Sequence, residues 1–134
     1  MSPVFTAMLE TDMKEAALGR IKVEDAGPAP VERMLGYIYS GKLFLEQDKN
    51  EELSNSLITE LLHCAEKYEI TEMKQEVIGQ MMSQLAVTNA IMFLNAAELY
   101  GAGEGVQMEI MEFCKKWVYY FLHKVYIQLK VKIP

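Results

Sequence analysis

Hydrophobic side chains recur with the 3.6-residue period of an α-helix along most of the chain. The clearest example begins at a proline-rich break, residues 28–30, and ends at Gly41. Proline suits the first turn of a helix, where no amide hydrogen is needed, and glycine suits the left-handed position after the last turn. The spacing predicts one continuous buried face, formed by Val31, Met34, Leu35, Ile38 and Tyr39.

Capping residues predict where the other helices begin. Ser2 precedes Pro3 at the start of the first helix, Thr71 can cap a later one, and Thr88 or Asn89 can cap the next. The last helix is expected from about Val106. The side chains expected inside these later helices are Leu57, Ile58, Leu61, Leu62, Ala65, Tyr68, Met73, Val77, Ile78, Met81, Met82, Ala90, Leu94, Ala97, Leu99, Ile110, Phe113, Cys114, Trp117 and Phe121.

One short segment has a different period. Residues 20–24 alternate polar and apolar side chains, which predicts a half-buried strand. Residues 46–56 are polar and mostly acidic, which is typical of a solvated loop. The expected fold class is α+β and predominantly α-helical.

Composition narrows the class of protein. The 134 residues are 51% hydrophobic and 24% charged, which fits one globular domain, or one domain and a small helical annex. The net charge of −6 argues against nucleic acid as a partner, and because no apolar run is long enough for a membrane segment we expect no membrane partner. Cys64 and Cys114 are expected to be reduced core residues of a cytosolic or nuclear protein.

Catalytic chemistry finds no support in the sequence. His63 and Cys64 are adjacent, so on a helix they point in different directions and cannot act as a base–nucleophile pair. Gly101, Gly103 and Gly105 follow a helix and lack the lysine of a phosphate-binding loop. We therefore expect no enzyme activity, no cofactor, no metal site and no small-molecule substrate.

Several segments resemble parts of one known family. Residues 37–42, Tyr-Ile-Tyr-Ser-Gly-Lys, resemble the end of the central helix of the BTB/POZ domain, an interaction module. Residues 2–9 and 61–68 resemble segments on either side of that helix, and the likeness extends over roughly residues 2–114. Several motifs in the right order are more specific than one short pattern. Within the family, the chain resembles the speckle-type POZ (MATH–BTB) group.

The resemblance implies a domain organisation. Residues 1–82 would form a partial BTB/POZ domain and residues 83–116 a 3-box or BACK-like helical extension, which in the family helps to form a groove for a cullin. Residues 117–134 would be a divergent apolar tail. Gly105 departs from the family, which has a large apolar residue there, and it would weaken the second helix through cavity and entropy costs.

The family's early elements precede the segment that residues 2–9 resemble. The chain is therefore expected to be a truncated BTB/POZ core plus a C-terminal helix pair, with the strand at residues 20–24 lacking its neighbours. The tail is apolar and strand-prone. Two interpretations of it remain open: it covers the core left open by truncation, or it is non-native sequence that promotes aggregation.

Met13, Lys14 and Glu15 resemble the motif by which cullin-binding BTB adaptors present an apolar anchor and an acceptor. A thioether can fill a pocket on the partner while the carboxylate fixes register. The competing interpretation of Met13 is a surface apolar residue among solvated charges. Tyr68 is either a second contact at a half-wet interface or a helix-end aromatic with its hydroxyl in water.

By resemblance, the expected function is that of a substrate adaptor for a cullin-3-type RING ubiquitin ligase. The adaptor would bind the cullin non-catalytically through Met13, Glu15 and Tyr68, in the nucleus or cytoplasm. Other BTB chains are a further class of partner. The alternatives are a BTB oligomerisation scaffold in nuclear or transcriptional assemblies, or a non-functional fragment.

Overall fold

The computed structural model describes residues 2–10, 23, 26–43 and 53–132. These residues form six helices and no strand: α1 (Pro3–Glu10), α2 (Pro28–Ser40), α3 (Asn55–Lys67), α4 (Thr71–Ser83), α5 (Ala90–Leu99) and α6 (Glu104–Lys132). The predicted predominance of helix is confirmed. The predicted strand at residues 20–24 lies outside the described residues, apart from Val23. The chain divides into two compact units, Met1–Gln84 and Leu85–Pro134.

Helix α3 is the central element of the first unit. It packs against both α2 and α4. Its apolar side chains recur at helical spacing, and Ile58, Leu61, Leu62 and Ala65 are all buried. Full burial of one such large aliphatic side chain contributes about 1.5–3 kcal/mol. In α4, four of the predicted core side chains are buried: Met73, Val77, Ile78 and Met81.

The buried face of α2 differs from the prediction. Pro30, Met34 and Tyr37 are buried, whereas Leu35 is 42% exposed and Tyr39 is 91% exposed. A helix turns by about 100° per residue. When Met34 and Tyr37 face α3, Leu35 and Tyr39 therefore lie on other sides of α2. The prediction of one continuous buried face is therefore wrong for Leu35 and Tyr39.

The ends of α2 agree with the sequence. Prolines occupy its first turn, and Gly41 follows its last turn at φ 72°, with its amide donating to the Tyr37 carbonyl at 2.7 Å. Helix α3 is capped by Ser54, whose side chain accepts from the Leu57 amide at 3.1 Å. Thr71 is not the cap of α4, because Ile70 occupies that position and the helix already includes Thr71.

A buried amide ties the start of α3 to the end of α4. The Leu53 amide donates to Gln84 Oε1 at 3.2 Å, and Gln84 Nε2 donates to the Leu53 carbonyl at 2.8 Å. Both residues are buried. This pair satisfies two backbone groups that lie outside any helix, since buried polar groups without partners are costly.

The second unit consists of α5 packed against α6. Asn89 occupies the position before α5, as predicted, but its side chain does not bond an amide of that helix: its oxygen accepts from the Ala86 amide at 2.7 Å. Ala90 and Ala97 are buried as predicted, and Ile110 is fully buried on α6. Leu99 is exposed, contrary to the prediction.

Helix α6 is much longer than its partner. It has 29 residues, about 43 Å at 1.5 Å per residue, whereas α5 has 10 residues, about 15 Å. A short helix cannot cover a long one, so Trp117 (42%) and Phe121 (67%) are exposed, contrary to the prediction. The strand-prone tail is helical as far as Lys132.

Gly105 lies in the first turn of α6 and is exposed. A methyl group added there would meet no atom within 4 Å. The cavity expected at this position is therefore absent, and only the entropic cost of a helical glycine remains.

Two glycines of α2 should respond in opposite ways to alanine. Gly36 is exposed inside the helix with open space around it, so Gly36→Ala is expected to raise the free energy of unfolding by about 0.5–1 kcal/mol. Gly41 has open space too, but its φ of 72° disfavours a side chain. Gly41→Ala should therefore lower the free energy of unfolding by about 1 kcal/mol. Urea unfolding of both variants measures this, and shifts of the same sign would contradict the assignment.

Candidate interaction site

The turn after α3 has a defined hydrogen-bond pattern. Glu69 adopts a left-handed conformation with φ 53°, its amide donates to the Glu66 carbonyl at 3.3 Å, and the Ile70 amide donates to the Ala65 carbonyl at 3.0 Å. This is the Schellman pattern, with glutamate at the position that usually holds glycine. The buried Ile70 side chain completes the turn. The position of Tyr68 is thus fixed by the backbone on both sides.

The Tyr68 ring lies in the core, with 1% of its surface exposed. It stacks on Phe5 of α1 with ring centroids 4.4 Å apart and planes inclined by 19°. Lys67 Nζ lies 5.3 Å from the Tyr68 ring centroid. The expectation of a half-wet or water-facing ring is corrected, because α1 covers it. The role of Tyr68 in partner binding stays a prediction.

Ser2 connects the start of α1 to the same turn. Its hydroxyl donates to the Tyr68 carbonyl and accepts from the Phe5 amide at 3.3 Å. The first contact supplies a partner for a carbonyl at a helix end, and the second caps α1 as predicted. Ser2 is fully buried. Helix α1 is therefore held to the end of α3 by one hydroxyl and one aromatic stack.

Met13 and Glu15 lie outside the described residues. Helix α1 ends at Glu10, three positions before Met13. The structure thus describes α1, which precedes the predicted motif, and places Tyr68 beside the start of α1.

A second feature of the first unit lies between α2 and α4. Tyr37, Glu72 and Glu76 line an open cavity of about 560 Å³, together with Ile38, Gly41, Ile70 and Gln75. Burial raises the pKa of Tyr37, and the nearby carboxylates of Glu76 and Glu72 raise it further. The cavity offers hydrogen-bond acceptors but no nucleophile paired with a base.

Sequence reasoning missed both of these arrangements. The contact between Ser2 and Tyr68 spans 66 positions, and no local pattern signals it. Tyr37 had a usable signal, since it follows Met34 by three residues and therefore shares its helix face. The described residues also contain no group of three or more His, Cys, Asp or Glu side chains able to hold a metal ion.

The family-model comparison matches residues 1–85 to the BTB/POZ domain, which is more than half of the chain. The chain belongs to the BTB/POZ family. BTB/POZ is a family of protein-interaction domains, which mediate oligomerisation and binding to other proteins. The matched residues include α1–α4 and the turn at Tyr68.

Two curated relatives come from the mouse, Mus musculus. The chain is 31% identical over 112 residues to TD and POZ domain-containing protein 1, covering 84% of this chain and 29% of that protein. It is 33% identical over 99 residues to TD and POZ domain-containing protein 5, covering 74% of this chain and 27% of that protein. The chain thus spans less than a third of the length of these relatives.

Within the part of the chain that the structure describes, no helix is long and apolar enough to cross a membrane.

The pH dependence of stability should report on Tyr37. Its pKa is raised in the folded state, so the unfolded chain loses this proton first as the pH rises above about 10. The contribution of Tyr37 to the free energy of unfolding is fully present below that pH. It is lost as the pH rises further, because the folded state then binds more protons than the unfolded state. We expect Tyr37→Phe to reduce the fall in stability as the pH rises above roughly 10.

Urea unfolding across this range measures the slope. Tyr39→Phe, at a position that is 91% exposed, is the matched control and should retain the slope of the unmodified protein. If Tyr37→Phe retained the same slope as Tyr39→Phe, the proposed effect of burial and of the neighbouring carboxylates would be absent.

Proposed function

We propose that the chain is a non-catalytic adaptor module that binds a cullin-3-type scaffold of a RING ubiquitin ligase. The observation that carries this proposal is the BTB/POZ match over residues 1–85, which contain the Met13–Glu15 motif. In this role Met13 would fill an apolar pocket on the cullin and Glu15 would accept its hydrogen bonds. Within the family, we propose the speckle-type POZ (MATH–BTB) group and a place of action in the nucleus or cytoplasm.

Tyr68 would act in this site through position rather than contact. Its buried ring supports Phe5, and its carbonyl accepts from Ser2, so both contacts orient α1. The motif follows the end of α1 by three residues. A rigid helix near the anchor reduces the conformational entropy lost on binding, which improves affinity without a new contact.

Residues 83–116 would serve as the 3-box or BACK-like extension. This segment contains α5 and the first part of α6, which pack against each other as a helix pair. Residues 1–82 would then be the partial BTB/POZ domain and residues 117–134 a separate tail.

The double variant Met13→Ala, Glu15→Ala tests the site. It removes the apolar anchor and the acceptor, so the binding free energy for the N-terminal region of cullin-3 should weaken by about 2–4 kcal/mol. Isothermal titration calorimetry with the purified chain measures the dissociation constant. The matched control is Glu32→Ala, Leu35→Ala, which removes one exposed carboxylate and one partly exposed apolar side chain from α2. Equal losses in both doubles would remove Met13 and Glu15 from the site.

If the chain is folded but does not bind the cullin, the adaptor proposal is wrong and the oligomerisation scaffold is favoured. A chain that only aggregates would favour the fragment interpretation. Size-exclusion chromatography before calorimetry distinguishes these two results.

The variant Tyr68→Phe separates positioning from contact. Phenylalanine keeps the stack on Phe5 and leaves the backbone carbonyl for Ser2, so cullin affinity should stay within about threefold of the unmodified chain. Tyr39→Phe is the exposed tyrosine control. A loss as large as that of the Met13, Glu15 double would show that the Tyr68 hydroxyl contacts the cullin directly.

A further inference from the structure

The C-terminal half of α6 extends beyond the start of α5 and is exposed to solvent. Every side chain from Lys115 to Lys130 is exposed. Ten of these are large and hydrophobic: Trp117, Val118, Tyr119, Tyr120, Phe121, Leu122, Val125, Tyr126, Ile127 and Leu129. An exposed apolar surface of this extent marks an interaction site.

The exposed half of α6 has a distinct apolar face. Val118, Phe121, Leu122, Val125 and Leu129 follow one another at i, i+3, i+4, i+7 and i+11. This spacing puts all five on one side of the helix. Where α6 passes the start of α5, the face borders an apolar groove of about 570 Å³ whose walls include Ile91, Trp117 and Phe121.

The opposite side of the helix is basic. Lys116, His123 and Lys130 recur every seven residues, which places them roughly 125–165° around the helix from the centre of the apolar face. Lys124 and Lys130 also lie over aromatic rings of their own helix, with Nζ 4.9 Å from the Tyr120 centroid and 5.1 Å from the Tyr126 centroid. Tyr120 and Ile127 also lie on this side of the helix, next to Lys116, and neither carries a charge.

The charge of this segment is opposite to that of the chain. Residues 113–130 carry four lysines and no Asp or Glu, whereas the chain as a whole has a net charge of −6. A partner for this half of α6 must therefore accept both an apolar face and a row of positive charge. Tryptophan and tyrosine, which are frequent here, favour the boundary between hydrocarbon and polar headgroups.

We propose that residues 113–130 of α6 form a peripheral membrane-binding helix that lies along a bilayer surface rich in anionic lipid. The apolar face enters the boundary between headgroups and acyl chains, and the lysines remain at the level of the anionic headgroups. The expectation of no membrane partner considered only segments that cross a bilayer, and this helix would not cross one.

Charge disfavours a second copy of the chain as the occupant. Two copies of residues 113–130 side by side would bring like charges together, since neither contains an acidic residue. The acidic side chains of α6, Glu104, Glu109 and Glu112, are exposed and all precede this segment. An anionic surface instead attracts the four lysines of this segment.

Trp117 provides the test, because it is the single tryptophan of the chain and is partly exposed. The full chain is titrated with vesicles of phosphatidylcholine containing about 30% phosphatidylserine, and with vesicles of phosphatidylcholine alone. With anionic vesicles we expect a blue shift of Trp117 emission, quenching by brominated acyl chains, and a partition coefficient that falls as salt is added. Neutral vesicles should bind at least about tenfold more weakly.

Matched lysine variants test the electrostatic part. Lys116→Gln, Lys130→Gln removes two charges from the basic side, and the partition coefficient should fall about 25-fold, or about fivefold per lysine. The control Lys42→Gln, Lys67→Gln removes two exposed lysines outside α6 and should change it less than about threefold. Both substitutions lie on the surface, and circular dichroism verifies that each variant is folded.

Three results would overturn the proposal. The first is an unchanged Trp117 spectrum with anionic vesicles, and the second is an equal loss in both lysine doubles. The third is a concentration-dependent dimer in sedimentation equilibrium that already shields Trp117 and that vesicles do not dissociate, which would make the second copy the occupant.

Discussion

The packing of α3 against both α2 and α4 is the interaction on which the first unit depends. Ile58, Leu61 and Leu62 have almost no exposed surface, and buried side chains of α2 and α4, the two helices that pack on α3, complete the core. The end of α3 also determines where α1 lies, because Tyr68 provides both the ring under Phe5 and the carbonyl for Ser2. A substitution that disturbs α3 would therefore also displace α1, which precedes the predicted cullin motif, without changing the motif itself.

Local chemistry explains which features could be predicted from the sequence. Helix boundaries at Ser2, Gly41 and Asn89 depend on neighbouring backbone groups, and the structure agrees with each. The identity of the family also depended on short segments in the right order, and the family match agrees. The motif at Met13 and Glu15 lies outside the described residues, so its role rests on that family membership.

Features that depend on distant parts of the chain were predicted less well. A helical period reveals that α2 has an apolar side, but the position of α3 decides that Tyr37 is buried and that Tyr39 is exposed. The burial of Tyr68 depends on residues more than sixty positions away. Trp117 and Phe121 have the spacing of core residues, yet α5 is too short to cover them, and the length of a partner helix is not encoded in the period of α6.

The paired hydrogen bonds between Gln84 and Leu53 have a consequence for local opening of the fold. The Leu53 amide lies outside any helix, where amide hydrogens normally exchange quickly with water, but it is buried and donates to a side chain at the far end of α4. Its hydrogen should exchange only when the end of α4 moves away from the start of α3. The exchange rate of this single amide therefore reports the opening of a helix to which it does not belong.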